Sequence, residues 1–201
     1  MKIYFHPCIE EFTNSYVVVN DNPSVMEAII IDPGKITNNL IMQIENGGYK
    51  LTGVLITHNH ENHVKGLKTL TKIYSPYIYA ADYEVEENKA VVLNGDGKLI
   101  VAGLEIEYYS IPGHSSDSMV YKIGSVIFTG DTLLAGTIGE TSSHYAKRLL
   151  ISNISKKILS QTEDTVLMPG HGPPTTVATE KMYNLDLIKT DIDHQDSVSY
   201  K

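Results

Sequence analysis

Three histidines fall within six residues in the stretch Thr57-His58-Asn59-His60-Glu61-Asn62-His63. Imidazole is the common nitrogen ligand for zinc and iron, so a cluster at this spacing points to metal-ion chemistry. Two further histidines sit in turn sequences, His114 in Pro112-Gly113-His114-Ser115 and His171 in Pro169-Gly170-His171-Gly172. Asp131, in Thr129-Gly130-Asp131-Thr132, adds a carboxylate to the five imidazoles. The other histidines, His6, His144 and His194, stand alone and read as surface or turn residues.

Each candidate ligand follows an apolar run that must hold it rigidly. A buried strand over Gly53 to Thr57 precedes the cluster, and Val126 to Phe128 precedes Asp131. Further strand runs cover Lys2 to Phe5, Ser15 to Val19, Met26 to Ile31, Tyr77 to Ala80, Lys98 to Val101, Leu104 to Ser110, Ser118 to Ile123, Ser125 to Thr129 and Thr165 to Met168. The third of these is closed by the turn Asp32-Pro33-Gly34. Helical spacing marks Ile36, Leu40, Ile41 and Ile44, stopped by Gly47 and Gly48. It recurs at Val64, Leu67 and Leu70, at Tyr145, Leu149, Ile151, Ile154 and Ile158, and at Met182, Leu185 and Ile188. Strands interleaved with four helical patterns indicate a mixed α and β chain. Nothing marks an internal boundary, so one domain over 1–189 is expected, followed by a polar tail over 190–201.

The 201 residues, 42% hydrophobic and 20% charged, suffice for a sizeable core. A net charge of −8 argues against broad binding of nucleic acid or an anionic membrane. The single cysteine, Cys8, can form no internal disulfide, and without a CxxC pair there is no thiolate zinc module. Glu10 and Glu11 interrupt any signal-peptide stretch, and no run approaches the roughly 18 apolar residues of a membrane span. A soluble, cytoplasmic protein is expected.

The segments THNHENH, PGHS, TGDT and PGHG, in this order and approximate spacing and together with IDPG at Ile31 to Gly34, resemble the metallo-β-lactamase superfamily. GDTLLAGTIG followed by MPGHGPPTT is similar to its short glyoxalase II-like branch, whose members hydrolyse thioesters such as hydroxyacylglutathiones. The resemblance implies an α+β fold, a four-layer αββα sandwich with metals at one edge between the sheets. It implies a first metal on His58, His60 and His114, a second on His63 and His171, and Asp131 bridging both. Zinc, one or two ions, is the implied cofactor, with iron the alternative, and the implied partner is a small-molecule substrate. The chemistry agrees, since a divalent metal on neutral imidazoles polarises a carbonyl and lowers the pKa of bound water to about 7, presenting hydroxide as nucleophile.

Two positions depart from the family pattern. Where HxHxDH carries an acidic residue that ligates the second metal and accepts a proton, this chain has Asn62. The amide offers only a neutral oxygen, so the second site is expected to be weakened; Asn is also a favoured helix N-cap, and the two readings can coexist. Glu61 is the neighbouring carboxylate that could substitute. After the GxxG ending at Gly139, a basic residue is common in the branch, but Glu140 stands here and disfavours an anionic thiol such as glutathione. Lys147 and Arg148 are expected on a solvated helix face. The leading expectation is a hydrolase of small thioesters or related esters, with Asp131 and Asn62 as candidate catalytic positions. The alternatives are a mononuclear iron persulfide dioxygenase using His58, His114 and Asp131, and a degenerate metal-binding protein without turnover.

Overall fold

A computed structural model describes residues 1–188 except Ile9 and Glu11. The expected tail over 190–201, and the domain end at 189, lie outside the described residues. The chain begins with β1 (Lys2–Cys8), β2 (Thr13–Asn20), β3 (Glu27–Ile31), helix α1 (Asn38–Gly47) and β4 (Lys50–Leu55). Two short helices follow, α2 (Glu61–Val64) and α3 (Leu67–Tyr74), then β5 (Tyr77–Ala80), the small hairpin β6 (Glu84–Val85) and β7 (Asn88–Lys89), and β8 (Val91–Val92). The second half runs β9 (Gly97–Val101), β10 (Leu104–Ser110), β11 (Met119–Ile123), β12 (Val126–Gly130), β13 (Leu133–Leu134), β14 (Thr137–Ile138), α4 (His144–Lys157), β15 (Val166–Pro169), β16 (Thr175–Thr176) and α5 (Val177–Tyr183).

Two six-stranded sheets result, ordered β1-β2-β3-β4-β5-β8 and β16-β15-β12-β11-β10-β9. Strand periodicity sorts each apolar run between two cores. In β2, Val17 and Val19 meet Leu40 and Ile44 of α1 and Leu67 and Leu70 of α3, while Tyr16 and Val18 face the second sheet. In β12, Val126 and Phe128 join that inter-sheet core, while Ile127 packs on Leu150, Ile154 and Ile158 beneath α4. Helices therefore cover both outer faces, giving the expected α+β arrangement of four layers.

Three expected helices are corrected in detail. The Val64 to Leu70 pattern is two helices, because the Gly66 N–H leaves the helical path to donate to Pro33 O at 2.8 Å. In α4 the buried side chains are Leu150 and Ile154, with Ile158 one turn on, whereas Tyr145 is exposed. Helix α5 ends at Tyr183, with a further helical turn over 185–188 after Asn184; α5 buries Val177 and Glu180, and Met182 and Leu185 stay in solvent. Here hydrogen bonding to a buried carboxylate, not an apolar stripe, sets which face turns inward. Lys147, expected to be solvated, reaches Asp186 Oδ1 at 2.6 Å. Among the described residues no helix is long and apolar enough to cross a membrane.

Candidate metal centre

Strands β3, β4 and β5 run parallel in one sheet and β12 and β15 in the other, so loops leaving their carboxyl ends can gather functional side chains. Asp32 follows β3, His58 and His60 follow β4, Asp131 follows β12 and His171 follows β15. His63 lies in α2, and His114 lies in the loop after β10. Hydrogen bonds tie the sheets together near this loop cluster: Met119 N–H donates to Thr57 O at 2.7 Å, the Tyr121 hydroxyl to Ile56 O at 2.7 Å and the Tyr16 hydroxyl to Pro169 O at 2.7 Å.

The ring nitrogens converge. One ligand atom each from His58, His60 and His114 lies within 4.8 Å of the others, and the same holds for His58, His63 and Asp131. His114 Nε2 is 3.2 Å from His60 Nδ1. Asp131 Oδ2 stands 3.8 Å from both His58 Nε2 and His114 Nε2 and 3.5 Å from His63 Nε2. His171 joins through Asp131, with its Nδ1 2.7 Å from Oδ1.

The tautomers follow from the partners. Glu140 O can only accept, so His114 Nδ1–H donates to it at 2.8 Å and Nε2 keeps its lone pair. The Thr57 hydroxyl donates to Asp32 Oδ2 at 2.6 Å, so it accepts from His58 Nδ1–H at 3.1 Å. His63 Nδ1–H donates to Asp32 Oδ2 at 3.0 Å. His58, His63 and His114 thus all turn Nε2 toward Asp131. The Nε2 atoms of His58 and His63 are buried without a hydrogen-bond partner. Such orphans are costly unless something binds them, and a soft-to-borderline cation is what converging imidazoles and a carboxylate fit.

Electrostatics reinforce this fit. Burial pushes the His58 imidazole down to about 3, with the neighbouring His63 charge adding to the effect. Burial likewise lowers His60, and His114 beside it acts in the same direction. Burial opposes the charged form of His63, but the Asp131 and Asp32 carboxylates overcome it and raise this group to about 10. Burial also works against the Asp131 carboxylate, yet His171 and His63 hold it well below the usual carboxylate range. Asp131 is therefore an anion facing a group that carries a proton where a cation could sit, and metal binding there would release that proton.

Asn62 is not the helix cap expected from its type. Helix α2 starts at Glu61 after His60, whose backbone is extended (φ −85°, ψ 140°), which places Asn62 in the first turn. Its Nδ2–H donates to His171 Nε2 at 3.1 Å. Glu61 stays exposed, 3.8 Å from Lys65. Asp32, read from sequence only as a turn former, is the functional residue that reading missed. It is buried, accepts the Thr57 N–H on Oδ1 at 2.8 Å, and orients both Thr57 and His63. Its signal was the position itself, a carboxylate directly after the apolar run Ala28 to Ile31. Gly170 permits a close approach in the site, because a Cβ there would lie 2.5 Å from both Asp131 Oδ1 and His63 Cε1.

Known proteins resemble this chain in sequence and fold. The chain is 31% identical over 176 residues to an uncharacterized protein of Treponema pallidum, covering 88% of this chain and 94% of that one. It is 29% identical over 128 residues to a hydroxyacylglutathione hydrolase of Pseudomonas fluorescens, a match that covers 64% of this chain and half the length of that relative. The crystal structure of the BLEG-1 B3 metallo-beta-lactamase superposes with a TM-score of 0.83 at 27% identity, covering 92% of this chain and 99% of that one. Residues 9–171, which span every histidine and carboxylate of the cluster, match the family model described as the metallo-beta-lactamase superfamily, and the chain belongs to that superfamily.

Proposed function

We propose that this protein is a metal-dependent hydrolase of small thioesters or related esters. The observation that carries the reading is the set of imidazoles turned by Glu140, Thr57 and Asp32 so that Nε2 of His58, His63 and His114 faces one carboxylate, with His58 Nε2 buried and without a hydrogen-bond partner. The likeness to a hydroxyacylglutathione hydrolase supports thioester chemistry. In this reading His58, His60 and His114 would hold a first metal and His63 and His171 a second, with the Asp131 carboxylate available to both. Zinc or iron fits this donor set. Such a metal supplies a Lewis acid and a bound water whose pKa falls to about 7.

The chain's own residues do the rest. Asp32 and Thr57 hold the ring orientations of His63 and His58, and Asp131 balances positive charge at the centre of the site. Asn62 has no useful basicity and is already committed to His171, so it orients rather than accepts a proton. Glu140 meets His114 through its backbone carbonyl, and its exposed carboxylate adds negative charge to this loop, which disfavours an anionic thiol such as glutathione. The Asn62 to His171 bond also favours a second reading, a single-metal iron dioxygenase acting on persulfides through His58, His114 and Asp131.

Metal analysis of protein purified without added metal, paired with thioester kinetics, tests the proposal. Hydrolysis that is abolished by chelator, restored by divalent metal and free of any acyl-enzyme mass adduct is the expected result. Oxygen uptake with a persulfide and no thioester turnover would replace it with the second reading.

A further inference from the structure

Of the three imidazoles proposed for the first metal, His60 differs from its neighbours in what supports it. Thr57 holds the His58 ring and the Glu140 carbonyl holds the His114 ring. The His60 ring instead approaches another ligand, its Nδ1 lying 3.2 Å from His114 Nε2, and among the described residues no group outside the ligand set hydrogen-bonds it. His60 is also exposed, as is Asn59 before it, whereas His58 is buried. An exposed ligand whose ring has no support of its own keeps rotamer and backbone freedom that a cation must take away on binding. Its placement has to come through its backbone.

One side chain grips that backbone. The Asn59 N–H, the amide between the two candidate ligands, donates to Asp117 Oδ2 at 2.7 Å, a short charge-assisted bond. Asp117 stands three residues after His114 in the loop between β10 and β11, so one loop of the second sheet supplies a candidate ligand and clasps the first-sheet segment that bears two more. The loop is closed on itself. Ile111 N–H donates to Ser118 O at 2.8 Å across its base, Gly113 N–H donates to Ser115 O at 3.1 Å, and the Ser115 and Ser118 hydroxyls lie 2.6 Å apart. Just beyond it, the bond from Met119 N–H to Thr57 O joins the same two segments a second time. The circuit from Thr57 through Asn59 and Asp117 to Met119 is therefore closed by protein groups alone.

We propose that Asp117 is the positioning residue of the first metal site: by accepting the Asn59 N–H it holds His60 beside His58 and His114 before a cation arrives. The inference rests on the first-metal assignment within the hydrolase reading and adds to it a residue that touches neither metal nor substrate. The carboxylate has a second way to act. Burial and the neighbouring imidazoles lower the His60 imidazole, and the Asp117 charge works against them, so it reaches this ring through space as well. An amide in place of the carboxylate keeps an acceptor for the Asn59 N–H and removes the charge, which separates the two effects.

The test uses full-length, metal-free protein and has two readouts that need no turnover. NMR follows hydrogen exchange of the Asn59 amide, and titration with Co2+ against a competing chelator gives the affinity from the visible absorption of the bound ion. In the unaltered protein the Asn59 amide should exchange at least about tenfold more slowly than an unprotected amide. Asp117→Ala should abolish that protection and weaken cobalt binding about 10- to 100-fold. Asp117→Asn should keep the protection and lose less than about fivefold in affinity. Thr37→Ala, which removes the cap accepting Leu40 N–H at 3.2 Å on α1, should lower the melting temperature and leave cobalt affinity unchanged. Unchanged cobalt affinity in Asp117→Ala would overturn the proposal, and so would equal losses in both Asp117 variants, which would make the carboxylate a charge and not a clasp. An unprotected Asn59 amide in the unaltered protein overturns it without any variant. If the unaltered protein binds no cobalt, the metal assignment itself fails and this proposal falls with it; cobalt binding without thioester turnover removes the hydrolase reading alone.

Discussion

Asn62 and Asp32 show how far single side chains set this site. Asn62 satisfies His171 Nε2 with an amide proton where an anionic oxygen would recruit a cation. The protein as purified is therefore expected to carry clearly less than two metals per chain, and Asn62→Asp should raise occupancy toward two; metal titration of both proteins reads this directly, and two tight metals in the unaltered chain would refute it. His58→Ala or His114→Ala should each remove most of the bound metal, while His144→Ala, at an exposed position on α4, should not. Asp32→Ala strands the Thr57 N–H and His63 Nδ1 in a buried site, costing about 2–4 kcal/mol of stability. Urea unfolding of metal-free protein measures that cost, and a change below about 0.5 kcal/mol would mean that Asp32 does not hold these groups.

At the scale of elements, ligand placement depends on supports that carry no ligand. The hairpin β13–β14 leads directly to Gly139 and Glu140, and so to the carbonyl that orients His114. Its turn is pinned from α5, since the Gly136 N–H donates to the fully buried Glu180 carboxylate, which also accepts from Thr175 and Asn184. Replacing Glu180 by Ala leaves the buried Asn184 amide and the part-buried Gly136 and Thr175 donors without this acceptor, an expected loss of about 2–4 kcal/mol. The same change should weaken metal binding through His114 more than Met182→Ala does, because Met182 on that helix is exposed. Calorimetry with and without metal separates the two effects, and equal metal affinity in both variants would disconnect α5 from the site.

Over the whole molecule the candidate ligands straddle the two sheets. His58, His60 and His63 come from the connection after β4, whereas His114, Asp131 and His171 come from the second sheet. A metal held between them cross-links the halves of the sandwich and binds only the folded state. Chelation should therefore lower the melting temperature, and a free metal concentration a thousandfold above Kd should restore about 4 kcal/mol. A melting temperature insensitive to chelator and to added metal would argue against any ion shared between the sheets.

The histidine spacing, the apolar strands before Asp131 and the His58 cluster, and the turn glycines were legible in the chain because local chemistry carries them: ligand type, period-two hydrophobicity and punctuation are properties of neighbouring residues. Strand placement, two-sided burial in β2 and the α1 boundary at Gly48 follow from the same local rules. What local pattern could not supply was anything decided by partners distant along the chain. Asp32 reads as a turn until His63, 31 positions on, donates to it. Asn62 reads as a cap until His171, 109 positions away, accepts its amide. Glu180 breaks the apolar stripe expected of the last helix because Gly136, 44 positions earlier, needs its carboxylate. Residue type states which bonds a side chain can make, and only the packing of the two sheets decides which of them are made.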